Sequence, residues 1–178
     1  MDEKEIAWQG KYIKIVKRGT WEYVERCGQN DAAIIIPVCF DEKRQKNLIL
    51  IKEWRVPLQK YNVGLPAGLV GDHGNTEEVQ TAASRELLEE TGYSAGRLRF
   101  MCSGPPSSGL STELLHFYLA DRLTKASDKI GVDGEDITVF VVPLIEVEDW
   151  LVEMKNEGFV IDPKVYMALW FATKYECE

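Results

Sequence analysis

The stretch SRELLEETGY, residues 84–93, places Glu86, Glu89 and Glu90 at positions i, i+3 and i+4. A helix there gathers the three carboxylates on one side, just ahead of Gly92, a residue type that ends helices. The crowding is costly, because like charges repel at that spacing and the negative end of the helix dipole disfavours anions. At about 100° per residue, Val79, Ala82, Ala83 and Leu87 share one face that should point at the core. Glu86 and Glu90 fall on that same face, and Glu89 borders it. Acids aimed inward need a compensating cation. Arg85 can pair with Glu89 one turn on, but one arginine cannot neutralise three inward carboxylates. An oxygen-only donor set suits a hard divalent ion, Mg²⁺ or Mn²⁺, better than zinc.

Working outward, the helix should run from about Thr76 to Thr91, with Asn75 or Thr76 as its cap and Glu77 and Glu78 in its first turn. A glycine-rich loop, GLPAGLVGDHG (64–74), precedes it. Upstream, KYIKIVKRG and TWEYVER alternate polar with apolar residues, and Gly19 between them suits a hairpin. DAAIIIPVCF (31–40) is a continuous apolar run, the pattern of a strand buried on both faces. NLILIKEWR (47–55) reads as the next strand after a charged turn. Downstream, RLRFMCS, LLHFYLA and ITVFVVPLI read as strands, and EVEDWLVEMKNE and DPKVYMALWFATKY as helices. These elements predict an α/β (α+β) sandwich.

The 178 residues are 45% hydrophobic and 28% charged, a composition ordinary for one globular domain. A net charge of −8 argues against nucleic acid as a partner. An anionic small substrate stays open, since bound metal and a few arginines reverse the field locally. The charged start, MDEKEIAWQG, lacks the apolar run of a signal peptide, and no stretch is long enough to span a membrane. Cys27, Cys39, Cys102 and Cys177 form no C-x-x-C pair, so buried free thiols in a reducing cytoplasm are expected.

Gly71, five residues, Glu77, seven residues, then Arg85-Glu86-Leu87-Leu88-Glu89-Glu90-Thr91-Gly92-Tyr93 matches the full signature of the Nudix hydrolases. The chain thereby resembles a family that hydrolyses nucleoside diphosphates linked to another moiety, with divalent metal on the signature glutamates. The resemblance implies an α/β/α Nudix fold with a mixed sheet and a small N-terminal antiparallel hairpin or sheet.

From about Gly19 to Ala172 the resemblance is to the ADP-ribose and ADP-sugar pyrophosphatase branch. It implies that Trp21 of TWEYVER stacks on the base, with Glu22 beside it, and that Arg55 of EWRVP reaches the phosphates. LPAG (65–68) would add the Ala67 carbonyl to a metal shell of Glu86, Glu89 and Glu90. The chain departs from the branch at Gly64, where relatives carry glutamate, and in placing Gly68 three residues before Gly71. Gly109, Leu110 and Ser111 of PPSSGLSTE align with a loop bordering ribose and phosphate. In VDGEDITVFVV, Glu135 aligns with the general base, flanked by Asp133 and Asp136; Arg85 and Glu89 complete the catalytic set.

What the resemblance implies is Mg²⁺-dependent hydrolysis of a nucleoside diphosphate sugar in a cytoplasmic homodimer with shared active sites. Residues 1–30 would serve dimerisation and base binding, and residues 31–178 catalysis. Two rivals remain: hydrolysis of dinucleoside polyphosphates or damaged nucleotides, and a module that binds a nucleotide sugar without cleaving it.

Overall fold

The computed structural model describes residues 2–71, 77–131, 134 and 136–177. The chain begins with a meander of three antiparallel strands, β1 (Lys4–Gln9), β2 (Ile13–Arg18) and β3 (Trp21–Arg26), which form a sheet of their own. The alternation in KYIKIVKRG and TWEYVER accounts for β2 and β3, and Gly19 turns between them with φ of +60°. The small antiparallel N-terminal sheet is the one expected, and β1 adds to it a third strand that the alternation did not mark. Its sequence, KEIAWQ, is exposed throughout and carries no buried periodicity to announce it.

The main sheet is mixed. Its order is β11 (Val160–Ile161), β6 (Lys60–Gly64), β5 (Lys46–Arg55), β4 (Asp31–Phe40), β9 (Leu114–Lys125) and β8 (Tyr93–Gly104). In addition, β10 (Ile137–Pro143) pairs with β5, and the three-residue β7 (Ala67–Leu69) pairs with the first half of β4. β4 and β9 run parallel, from Asp31 opposite Leu114 to Pro37 opposite Ala120.

The apolar run of β4 is divided by its pleat, as the period of two requires. Ala32, Ile34, Ile36 and Val38 face a core shared with α2 (Val147–Asn156) and α3 (Lys164–Lys174). Ala33 and Ile35 face Ala82, Ala83 and Leu87 of α1 (Val79–Thr91) on the other side. Helices therefore cover both faces of the sheet, and DAAIIIPVCF is the central strand its sequence implies.

The glycine-rich segment read as loop holds two short strands. β6 ends at Gly64 and β7 takes Ala67 to Leu69; between them the Pro66 carbonyl accepts from the Ile35 N–H at 2.9 Å, which ties the link to β4. β7, with three residues, lacks the four to eight from which a period can be read, and β6 has only five. Backbone pairing, not pattern, fixes this segment. It passes under the C-terminal half of α1, and that position builds the site.

Candidate active site

α1 ends at Gly92, whose φ of +73° and N–H to the Leu88 carbonyl form a left-handed cap. The structure begins the helix at Val79; the expected caps Asn75 and Thr76 lie outside the described residues. The inward face is as its periodicity requires: Ala82, Ala83 and Leu87 are fully buried, while Glu86 and Glu90 are 7% and 6% exposed. Glu89 is half-buried.

Two kinds of donor hold these acids. The Arg85 guanidinium donates to Glu77 through Nε (3.1 Å) and Nη2 (3.2 Å), to Glu86 (2.7 Å) and Glu89 (3.0 Å) through Nη1, and to the Leu69 carbonyl (3.2 Å). Its pKa is raised further, chiefly by the hydrogen bond to Glu77 and against some desolvation, so its charge is permanent. Glu90 Oε2 accepts from the Ala67 N–H at 2.9 Å. Arg85 thus reaches three acids, two of them in the inward cluster.

The loop supplies the rest. A Cβ on Gly68 would fall inside the Glu86 carboxylate as it stands, so any side chain there requires that carboxylate to move. Gly71, at φ +72°, donates its N–H to Glu77 Oε2 at 3.0 Å. The extra residues after LPAG therefore divide two tasks between two glycines, one clearing Glu86 and one anchoring Glu77. Ala67 meets Glu90 through its amide.

Above this floor lies a cleft of about 430 Å³ whose lining includes Arg26, Glu53, Arg55, Asn62, Gly64, Ala67, Gly68, Glu113, Asp162 and Lys164. Each arginine is held by a carboxylate: Arg55 by Glu53, and Arg26 by Glu113, with Nε to Oε1 at 2.7 Å. A second cleft, of about 350 Å³, is lined by Arg18, Trp21, Tyr23, Gly109 and Ser111. Trp21 is 62% exposed, a free aromatic face. Its strand is stitched to the 107–112 loop of the same chain, Val24 N–H to the Leu110 carbonyl (2.8 Å) and Thr112 N–H to the Val24 carbonyl (3.2 Å).

The structure thus brings Trp21, Gly109 and Ser111 together, and Leu110 joins them through its carbonyl. Glu22 points to the opposite face of β3, 3.9 Å from Lys17, and does not line the Trp21 cleft. Glu135 and Asp133 lie outside the described residues. Their flanks are anchored on either side of the site: Gly131 N–H donates to the Glu89 carbonyl (2.8 Å), and Asp136 accepts from the Tyr61 hydroxyl (2.9 Å).

Sequence reasoning missed Arg26, Glu53, Asn62, Glu113, Asp162 and Lys164. Arg26 was within reach, as the last residue of the quoted TWEYVER. Asn62 carries only a faint signal, a polar residue in a short apolar strand.

Among the described residues, no three Asp, Glu, His or Cys side chains surround one point as a ready metal shell. The donors still fit a hard divalent ion. They are carboxylate oxygens, two of the three nearly buried, and the contacts they make with the Arg85 guanidinium and the Ala67 amide are ones a side-chain rotation releases.

A signature on one helix, its arginine holding the acids and a glycine passing over them define a NUDIX-type site. The NUDIX domain profile matches residues 29–163, and the chain belongs to that family; Nudix hydrolases generally use divalent metal. The chain is similar to the methanol dehydrogenase activator of Bacillus methanolicus, 31% identical over 126 residues, 70% of this chain and 64% of that protein. It is 33% identical to the ADP-sugar pyrophosphatase of Mus musculus over 183 residues, 92% of this chain and 82% of that protein. A solved structure of an ADP compounds hydrolase shares the fold, with a TM-score of 0.69 at 24% identity over 97% of this chain and 90% of that one. No helix among the described residues is long and apolar enough to cross a membrane.

Proposed function

We propose that this chain hydrolyses the pyrophosphate bond of nucleoside diphosphate sugars such as ADP-ribose, releasing a nucleoside monophosphate and a sugar phosphate. The observation that carries the reading is the convergence of Glu86, Glu89, Glu90 and Arg85 under a cleft walled by Arg26 and Arg55. The similarity to an ADP-sugar pyrophosphatase supports the substrate class. Glu86, Glu89 and Glu90, with the Ala67 carbonyl, would hold Mg²⁺, for which Mn²⁺ can substitute. Bound there, the ion supplies charge neutralisation on the diphosphate and a more acidic water.

The chain's own groups do the remainder. Arg55 and Arg26 offer guanidinium forks to phosphate oxygens. Trp21 offers a stacking face to the base, walled by Gly109 and Ser111. Arg85 keeps Glu86 and Glu89 oriented from behind. Glu135 takes the proton of the attacking water, whose oxygen bonds to phosphorus as the anhydride P–O bond breaks and the second phosphate leaves. Residues 1–30 would serve dimerisation and base binding, and residues 31–178 catalysis. The four thiols, all free, support a reducing cytoplasmic setting.

The test is turnover of a nucleotide-sugar panel with Mg²⁺, scored by released monophosphate, beside Glu90→Gln. That variant should lose at least about 100-fold in kcat, more than loss of an outer partner of a metal ligand costs, while melting no lower than wild type. Binding without turnover in the wild-type chain would favour the sensing module; near wild-type turnover in Glu90→Gln would remove Glu90 from the site.

A further inference from the structure

Asn62 lies on β6 directly across from Glu53 and is 5% exposed, yet among the described residues its side-chain amide meets no hydrogen-bond partner. It lines the 430 Å³ cleft, as do Asp162 and Lys164. Gly64 makes room for it: a Cβ there would come within 3.1 Å of Asn62 Nδ2 and 3.8 Å of Asp162 Cβ. The amide and the Asp162 side chain therefore flank the same vacated point, two residues along one strand face.

The chemistry of this corner differs from that of the rest of the cleft. Asp162 is fixed, its Oδ1 accepting from the Lys164 N–H at 2.9 Å and its Oδ2 from the Lys164 ammonium, while its own N–H donates to the Val63 carbonyl at 2.9 Å. The ion pair is internally neutral and Asn62 is uncharged, so the corner offers no excess positive charge for another phosphate. Among the described residues, its lining offers no aromatic face on which a second base could stack. What it offers is a carboxylate with lone pairs to spare, and an amide that both donates and accepts in either orientation. That pairing suits groups that are themselves donor and acceptor, namely neighbouring hydroxyls.

We propose that Asn62, with the Asp162–Lys164 pair, forms a hydroxyl-reading subsite that selects the sugar attached to the second phosphate. The inference rests on the nucleoside diphosphate sugar reaction proposed above and specifies which part of the cleft reads the sugar. The substrate hydroxyl completes the amide's hydrogen bonding, and a substrate that covers the amide without supplying a hydroxyl leaves it unpaired, which is how polar sites reject analogues.

The test compares kcat/KM for a nucleoside diphosphate sugar with that for the β-methyl ester of the same nucleoside diphosphate, which keeps the anhydride and lacks the sugar. The readout is the ratio of the two. In Asn62→Leu the ratio should fall about 10- to 100-fold, the span one lost hydrogen bond covers. The melting temperature should hold or rise as the unpaired amide is removed. Gly64→Ala keeps Asn62 but pushes its amide aside, and should lower the same ratio. A wild-type enzyme that cleaves sugar and methyl ester equally well, or variants in which both rates move together, would overturn the subsite while leaving the reaction standing. A wild-type enzyme that cleaves neither would overturn the reaction, and the subsite with it.

Discussion

Gly68 and Gly71 show how few atoms decide this site. One clears space for a carboxylate, and the other takes a φ of +72° so that its N–H can face Glu77. Sequence spacing names only Gly71, because the signature counts backward from Arg85. Gly68 is legible only once β7 is seen to cross the Glu86 carboxylate. Gly68→Ala tests this directly. The added methyl must displace a carboxylate that Arg85 holds at 2.7 Å, so the variant should lose about 1–3 kcal/mol of stability, the usual cost of overpacking. Thermal melting would measure that loss. Its kcat/KM should fall further than the folded fraction explains, since the displaced oxygens belong to the proposed metal set. A variant with unchanged melting and turnover would show that Glu86 has another place to go.

Legibility was greatest for elements with a long period and least for those fixed by pairing. α1, β4 and the two C-terminal helices each bury a stripe or a run, and the sequence shows it. β1, β6, β7 and β11 are short or exposed, and take their shape from partners distant in sequence. β1 is the clearest case: its burial pattern is uniformly exposed, and what attaches it besides the ladder is charge. Lys4 on β1 and Lys14 on β2 both reach Glu25 of β3, at 2.8 and 3.2 Å, and Glu25 is 9% exposed. The Lys4 hydrogen bond, working against desolvation and aided by Lys14, holds the Glu25 carboxyl below the ordinary glutamate range. A lowered folded-state pKa adds stability above the unfolded value, about 4.3, that is lost as pH falls through the folded value. Amide exchange protection in residues 4–9, measured against the intrinsic rate at each pH, should therefore fall selectively below about pH 4.3, ahead of protection in β4. Glu25→Gln should lower it at neutral pH and flatten its acid dependence. Uniform exchange across both sheets at low pH would show that charge does not hold β1.

At the scale of the whole molecule, the N-terminal sheet presents more apolar surface than so small a unit usually leaves open. Trp8, Ile13 and Ile15 are 53%, 39% and 38% exposed, and Ile15 stands opposite Trp8 in the ladder. Ladder alternation places these three on the same face, while Val16, directed the other way, is fully buried. A strip of this kind suits a partner, and a two-fold dimer that uses one patch twice is the commonest closed arrangement. Trp21 already lies against the 107–112 loop of its own chain, so the open question is which chain's acids that base cleft serves. We propose a homodimer in which Trp21 presents the base to the partner's acidic cluster, so that each active site draws on two chains. Trp8→Glu should then shift the chain toward monomer by light scattering and lower activity with it. Sharing of the site is tested by exchanging subunits between inactive Glu90→Gln chains and weakened Trp21→Ala chains. In the mixed dimer, one of the two composite sites joins an intact Trp21 to an intact acidic cluster, and activity should return toward half that of wild type. If each Trp21 serves its own chain instead, every site in the mixture carries a lesion and no activity returns despite proven exchange, which would confine the site to one chain.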